Sequence, residues 1–188
     1  MSQSTGGTRE RIQAVALELF TEQGYEKTSL REIAERLGVT KAALYYHFKS
    51  KDEIVNSYVE DRLHRMDELI DWARDQPATR ATRQALVSQY ADTMFAPGQS
   101  VVMRFFEQNQ TVLKSLVAGQ QMRERMFRLA DAICQGDDSP RAQLRATLVL
   151  FAVHSSWFAV RTPDISDDER KKIALEVADE LLTGIDES

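Results

Sequence analysis

Residues 28–51, TSLREIAERLGVTKAALYYHFKSK, constrain the fold most, because two short helical patterns meet there with almost no chain between them. Ser29 and Glu32 have the S-x-x-E spacing of a capping box, which predicts a helix that starts directly after Ser29. Gly38 ends that helix in the position where a left-handed residue is usual, and Thr40 caps the next one. Because the connection is so short, the two helices must cross steeply, as in a helix-turn-helix.

The second of these helices has two chemically different sides. Leu44 and Phe48 are four residues apart, so they lie on the same side of the helix and are expected to face the core. The opposite side then carries small and polar residues that are free for outside contacts: Lys41, Ala42, Tyr45 and Tyr46.

Apolar residues recur at helical spacing through most of the remaining chain. They make up 43% of the 188 residues, and only 4 prolines and 8 glycines interrupt them. This composition predicts an all-α protein of about nine helices with a real core. One long helix is expected from Lys51 to about Arg74, roughly 35 Å at ~1.5 Å per residue. We place the domain boundary inside it, between residues 6–66 and residues 67–188.

Charge is distributed unevenly along the chain. The net charge is −5, yet residues 1–51 carry +2 and residues 52–188 carry −7. Opposite signs in the two parts are expected if only the N-terminal part meets phosphate groups.

Other compositional features argue against several classes of site. Cys134 is the only cysteine, so neither an intrachain disulfide nor a cysteine-based zinc site is expected. His47, His64 and His154 are too far apart in sequence to predict a metal site, and no cofactor motif occurs. The chain has no apolar run of about 18 residues and no apolar signal core near its start, which predicts a cytoplasmic location without membrane contact.

The predicted outer side of the second helix suits DNA. A helix N-terminus that enters the major groove needs small residues there, and Ala42 and Ala43 supply methyl groups for contact with thymine. Lys41 can reach guanine acceptors or a phosphate. Hydroxyl and imidazole donors follow at the rim: Tyr45, Tyr46 and His47. Surface packing of the two tyrosines, and a structural hydrogen bond of His47, remain open alternatives.

Two predicted helix N-termini add candidate phosphate sites. Thr28 and Ser29 place a hydroxyl and backbone N–H groups at the first helix of the pair. Ser50 and Lys51 do the same at the start of the long helix.

Residues 9–60 resemble the tetracycline-repressor (TetR) family of bacterial transcription regulators. The matching residues are Ala16, Leu19, Phe20, Gly24, Tyr25, Thr28, Ile33, Ala34, Leu37, Gly38, Val39, Leu44, Tyr45, Tyr46, His47, Phe48 and Lys51. The resemblance implies an N-terminal helix-turn-helix domain joined by the long helix to a C-terminal ligand-binding and dimerisation domain. It also matches residues to DNA contacts: Thr28, Thr40, Tyr45, Tyr46, His47 and Lys51, with Lys41, Ala42 and Ala43 facing bases.

The helix predicted near residue 150 indicates a second subunit. Residues 146–160, ATLVLFAVHSSWFAV, are apolar nearly all round, and such a helix must be covered on more than one side. In the resembled family, this helix and the last one form a four-helix bundle between two subunits. The candidate interface residues are Leu148, Phe151, Ser155, Trp157, Phe158, Ile173, Val177 and Leu181. A wholly internal core is the alternative.

The resemblance also implies a ligand pocket between the long helix and the helices after it. Methionine and aromatic side chains suit an adaptable apolar wall. The candidates are Met66, Met94, Met103, Phe105, Phe106, Met126, Phe127, Phe151, His154 and Trp157. Ordinary core packing is the alternative for each of them, and His154 is the sharpest polar candidate.

Together these features predict a ligand-responsive, dimeric repressor that binds a near-palindromic double-stranded DNA operator and is released by a small-molecule effector. An enzyme is not expected, because no nucleophile–base pair, metal triad or glycine-rich phosphate loop occurs. The alternative is a helical protein-interaction module whose DNA-reading head is not functional.

Overall fold

In a computed structural model, the protein is described at residues 5–96, 99–108 and 117–186. The side chains of residues 5, 6, 106, 107, 117, 118, 184 and 186 lie outside this description. All regular structure in the described residues is helical, which confirms the all-α prediction. The nine described helices are α1 (Thr5–Gln23), α2 (Leu30–Leu37), α3 (Lys41–His47), α4 (Lys51–Arg74), α5 (Arg80–Met94), α6 (Gln99–Gln108), α7 (Val117–Cys134), α8 (Pro140–Ala159) and α9 (Asp167–Asp186).

The helices form two compact units. The N-terminal unit comprises Met1–Asp61 together with Ser100–Gln120, and the C-terminal unit comprises Arg62–Gln99 together with Gln121–Ser188. Helices α4 and α7 contribute to both units, whereas α6 lies in the N-terminal unit except for Gln99. The inclusion of α6 in the N-terminal unit was not foreseen from the sequence.

The core of the N-terminal unit is built around aromatic residues. The Phe20 ring lies 5.0 Å from the Tyr25 ring and 5.6 Å from the Phe105 ring, measured between centroids. Leu44 and Phe48 are completely buried in the same core, which confirms their predicted role. The remaining buried members are Ile12, Ala16, Leu17, Leu19, Ile33, Ala34, Ile54, Val55 and Val102.

Phe105 therefore corrects one prediction. It was expected in the wall of a ligand pocket, but its ring packs against Phe20 and Tyr25. The reason is that α6 lies in the N-terminal unit, where an apolar side chain completes the core of the helix-turn-helix domain.

The α2–α3 connection has the geometry that the sequence predicts. The Ser29 side chain accepts from the Glu32 N–H and the Glu32 side chain accepts from the Ser29 N–H, so the capping box is present. Gly38 is left-handed with φ +68°. The Thr40 hydroxyl accepts a hydrogen bond from the Ala43 N–H at 3.1 Å and starts α3.

In the C-terminal unit, α9 packs along α8 and against α5. Small residues on the buried sides, Ala142 and Ala146 of α8 with Ala174 and Ala178 of α9, fit a close approach of the two helices. Between α5 and α9, Arg80 Nη2 lies 3.1 Å from Asp179 Oδ2, a partly exposed ion pair.

A buried arginine closes the end of α7. Arg83 of α5 donates through Nε to the Ile133 carbonyl at 2.9 Å and through Nη2 to the Gln135 carbonyl at 3.0 Å. The Ile133 carbonyl lies in the last turn of α7 and the Gln135 carbonyl directly after the helix, where no intrahelical donor is available, so the positive guanidinium also complements the helix dipole.

Among the described residues, we find no helix that is both long and apolar enough to cross a membrane.

Substituting Gly38 tests whether the left-handed turn stabilises the α2–α3 pair. A Cβ at Gly38 would meet no atom within 4 Å, so the cost of Gly38→Ala is backbone strain alone. We expect a loss of about 1–2 kcal/mol in the free energy of unfolding, measured by urea denaturation. Gly38→Asn is the control and should lose less, because asparagine adopts this conformation more readily. Equal stability of Gly38→Ala and the wild type would contradict the argument.

Candidate nucleic-acid interface

Helix α3 presents an exposed face above a buried one. Lys41, Ala42, Ala43 and Tyr45 are exposed, and Tyr46 exposes 75% of its surface. Leu44 and Phe48, described above, hold the helix down from the other side. The small side chains of the first turn leave its backbone open to a close approach, and the two tyrosines follow at its end.

Contacts within α3 orient two of these side chains. The Lys41 ammonium lies 5.4 Å from the centroid of the Tyr45 ring, a cation–π distance. The Tyr46 ring meets the half-buried His47 ring edge-on at 5.3 Å. The exposed donors of α3 are thus oriented in pairs by contacts with one another.

Thr28 corrects a second prediction. It was expected to contact DNA, but it is 2% exposed. Its hydroxyl lies 2.9 Å from the Gly24 carbonyl and 3.3 Å from the Leu19 carbonyl, and it accepts from the Gln23 side-chain amide at 3.2 Å. Because these groups surround the hydroxyl, Thr28 connects the end of α1 to the start of α2.

The N-terminus of α2 already holds a carboxylate. Glu32 Oε2 accepts from both the Ser29 N–H and the Ser29 hydroxyl, each at 2.7 Å. The hydrogen bond from the Ser29 hydroxyl contributes most, and that from its N–H next, to lowering the pKa of Glu32, so the carboxylate stays negative. Ser29 is exposed, but the donors that were predicted for a phosphate are engaged by this side chain.

Lys51 is also engaged within the unit. Its ammonium donates to the Tyr25 carbonyl at 2.6 Å and lies 4.4 Å from the centroid of the Tyr25 ring. The next residue, Asp52, accepts a hydrogen bond from the Tyr25 hydroxyl. No local sequence pattern predicts this contact, because Lys51 and Tyr25 are 26 residues apart.

The predicted dimer residues divide into an exposed stripe and partly covered neighbours. The stripe is defined by large apolar residues of α8 that lie on one helix face, together with one of α9: Leu144, Leu148, Phe151, Phe158 and Val177. Leu144, which is 62% exposed, was missed, although it stands one turn before Leu148. Ser155, Trp157, Ile173 and Leu181 are partly buried.

Trp157 packs within its own unit. Its ring stacks on Phe95 at 4.8 Å with an interplanar angle of 22°, and the Arg170 guanidinium lies 5.7 Å from its centroid. The indole Nε1 is buried without an acceptor among the described residues. Trp157 therefore packs within the C-terminal unit while part of its surface stays exposed.

The predicted pocket residues do not form one group. In the C-terminal unit, Met66 and Met94 are buried and Met126 is half-buried, close to the Tyr90 hydroxyl at 3.5 Å. Met103 is buried in α6, within the N-terminal unit. The side chain of Phe106 lies outside the described residues.

Two phenylalanines correct the pocket prediction further. Phe127 exposes 59% and Phe151 exposes 52% of its surface, so both lie at the surface rather than in an enclosed wall. The physical reason is the orientation of the two helices, because α7 and α8 direct other apolar residues towards the core, among them Leu129 and Leu150.

His154 is a neutral polar group in the C-terminal unit. Burial, and secondarily the charge of Arg62, lower its pKa to about 4. Its ring lies 6.4 Å from the Phe158 ring, between the core side of α8 and the exposed stripe. At neutral pH it therefore offers one hydrogen-bond donor and one acceptor without a charge.

Replacing the Thr28 hydroxyl distinguishes a structural role from a DNA contact. Thr28→Val keeps the shape but leaves the surrounding carbonyls without their donor, so we expect a loss of about 1–2 kcal/mol in the free energy of unfolding. Thr28→Ser, which keeps the hydroxyl, is the control and should lose less. Unchanged stability in urea denaturation, combined with weaker DNA binding of the folded variant, would instead make Thr28 a DNA contact.

Comparison with known proteins shows which regulators this chain is similar to. Residues 12–58 match the sequence profile of the family described as "Bacterial regulatory proteins, tetR family". The HTH-type transcriptional repressor KstR2 of Rhodococcus jostii (strain RHA1) is 29% identical over 170 residues, which cover 82% of this chain and 79% of the relative. The HTH-type transcriptional regulator AcrR of Shigella flexneri is 49% identical over 53 residues, 28% of this chain and 25% of the relative.

The fold as a whole is also similar to solved regulators. The structure of the ketosteroid transcriptional regulator KstR2 of Mycobacterium tuberculosis superposes with a TM-score of 0.70 at 17% identity, and the match covers 96% of each chain. At this identity the likeness shows the fold alone.

The match to AcrR spans a quarter of that relative and concerns the helix-turn-helix part. The N-terminal domain is therefore of the TetR type, and the helical architecture is that of TetR-family transcriptional regulators.

Proposed function

We propose that this regulator is a homodimeric repressor that binds a near-palindromic DNA operator and releases it when a small-molecule effector binds. The observation that carries the proposal is the exposed face of α3, where small residues and donors stand above a completely buried Leu44 and Phe48. The repressor named KstR2 in Rhodococcus jostii supports the sign of regulation.

The DNA-contacting residues in this proposal are those that the structure leaves exposed on or beside α3. Ala42 and Ala43 allow the first turn to enter the major groove, and Lys41 reaches base acceptors or a phosphate. Thr40, Tyr45, Tyr46 and His47 supply donors at the groove edge. Ser29 and Lys51 were also candidates, but their donors are engaged within the protein, so neither is proposed as a main contact.

The exposed stripe supports a homodimer. Four large apolar side chains are exposed on one face of α8, and Val177 is exposed on α9. Monomeric proteins rarely expose large contiguous apolar surfaces. In a symmetric dimer the same stripe meets its own copy, so α8 and α9 of two subunits would bury it together. Two heads are needed because a helix-turn-helix dimer reads two half-sites about one helical turn apart.

The interior of the C-terminal unit supports an apolar effector with a hydrogen-bonding group. Met66, Met94 and Met126 are adaptable side chains, and the buried Trp157 Nε1–H has no acceptor among the described residues. His154 stays neutral at physiological pH, as described above. The effector shifts the equilibrium between the DNA-bound and the released state only through its different affinities for these two states. In this proposal, α4 sets the spacing of the two helix-turn-helix domains in each state.

The alternative is a protein-interaction module whose head does not bind DNA, which the net charge of −5 would favour. Selecting duplexes from a random pool with the full chain separates the two. Recovery of a near-palindromic sequence that also occurs upstream of its own gene supports the proposal, and repeating the selection with apolar metabolites identifies an effector. Failure to enrich any sequence at low salt favours the alternative.

Two substitutions test the assigned face of α3 on the selected duplex. Lys41→Ala should weaken binding by about 1–3 kcal/mol, and Tyr46→Phe by about 1 kcal/mol through loss of one hydroxyl contact. Fluorescence anisotropy at several salt concentrations measures both. If Lys41 neutralises a phosphate, the slope of log K against log salt also falls by about 0.9. The control is Lys172→Ala, which removes an equal charge from an exposed position in α9. Wild-type affinity in both α3 variants would refute the assignment.

A charge in the exposed stripe tests the dimer. Leu148→Glu should raise the dimer dissociation constant by roughly 100-fold, because two carboxylates would be buried in the symmetric contact. Sedimentation velocity measures the shift from dimer to monomer. Phe127→Glu is the matched control, since Phe127 is an exposed aromatic residue whose exposed neighbours in α7, Arg123, Glu124 and Asp131, are charged. A dimer of unchanged stability in Leu148→Glu would place the subunit contact elsewhere.

A further inference from the structure

Lys51 stands at the start of α4, where the TetR resemblance matches it to a DNA contact. Its ammonium instead donates to two consecutive carbonyls of the α1–α2 turn, Tyr25 at 2.6 Å and Glu26 at 3.4 Å. The Tyr25 ring covers the same ammonium from 4.4 Å. An ammonium has three N–H donors, so most of its capacity is already used inside the protein.

The neighbouring residue holds the other end of the same tyrosine. Asp52 accepts a hydrogen bond from the Tyr25 hydroxyl, and Tyr25 is buried against Phe20. Burial and this hydrogen bond raise the pKa of Tyr25, so the hydroxyl keeps its proton and continues to donate. Tyr25 is thus held by Lys51 at its carbonyl and ring, and by Asp52 at its hydroxyl.

This contact joins two parts of the N-terminal unit that are distant in sequence. The Tyr25 carbonyl that Lys51 contacts also accepts from the Thr28 N–H at 3.3 Å, one residue before the cap of α2. The first turn of α4 is therefore connected through the turn to the start of α2. A displacement of that first turn must carry the helix-turn-helix with it or break these hydrogen bonds.

We propose that Lys51 is a positioning residue, which with Tyr25 and Asp52 fixes the helix-turn-helix to the first turn of α4, and is not a phosphate ligand. This rests on the proposed DNA-binding function. Lys51 and Asp52 then keep the α1–α2 turn in a fixed position against the first turn of α4. To contact a phosphate, the Lys51 ammonium would have to leave both carbonyls and the ring.

The test compares three variants of the full chain on the duplex that the wild type selects. Lys51→Met removes the charge but keeps the length of the side chain, Lys51→Arg keeps a cationic donor, and Tyr25→Phe removes the link to Asp52 without changing any positive charge. Affinity is measured by anisotropy at several salt concentrations, at a temperature where circular dichroism shows every variant fully folded.

A positioning role predicts that Lys51→Met and Tyr25→Phe each weaken binding by roughly tenfold with an unchanged salt slope, and that Lys51→Arg restores most of the affinity. A purely structural role would lower stability but leave the affinity of the folded variants at the wild-type value, which overturns the proposal. A slope lower by about 0.9 in Lys51→Met, with wild-type binding by Tyr25→Phe, makes Lys51 a phosphate ligand and also overturns it.

Amide hydrogen exchange without DNA separates this proposal from the proposed function. In Lys51→Met, the amides of residues 24–37 should exchange roughly tenfold faster than in the wild type, because the turn is released from α4. Lys172→Ala serves as the control and should leave these amides unchanged. If the wild type selects no DNA, the proposed function fails, but the exchange measurement still shows whether Lys51 fixes the turn to α4. Unchanged exchange in Lys51→Met overturns the positioning role.

Discussion

Burial of Leu44 and Phe48 beneath α3 is the interaction on which the rest of the N-terminal unit depends. A helix of seven residues is too short to be stable alone in water, so α3 exists because its apolar side is packed on the core around Phe20. The same packing decides which residues of α3 face outwards. The exposed position of Tyr46 is therefore a consequence of core packing as much as of its own chemistry.

Polar groups near this core serve two purposes that the sequence alone does not separate. Thr28 and Lys51 belong to residue types that suit a phosphate, yet both contact backbone carbonyls between α1 and α2. The difference is one of proximity in three dimensions, since the partners of Lys51 are 25 and 26 residues away. A regulator that must hold its reading helices rigid needs such contacts as much as it needs groups on the DNA.

Helix α8, which is apolar nearly all round, has one buried side and one exposed side in the C-terminal unit. Val149 and Val153 are buried within the unit, whereas Leu148 and Phe151 are exposed. A stretch that is apolar all round thus has one side for its own core and another for a second surface, which is the basis of the proposed dimer. Trp157 lies at the boundary, stacked within the unit and partly exposed.

Local patterns in the sequence determined the helices, their caps and the helix-turn-helix, because helical periodicity and capping depend on residues only three or four positions apart. The Ser29 capping box and the left-handed Gly38 could therefore be predicted, as could the buried Leu44. Tertiary structure alone decided that Phe105 completes the N-terminal core, that Thr28 is buried and that Lys51 contacts Tyr25. These outcomes depend on which distant segments meet, and neither periodicity nor composition contains that information.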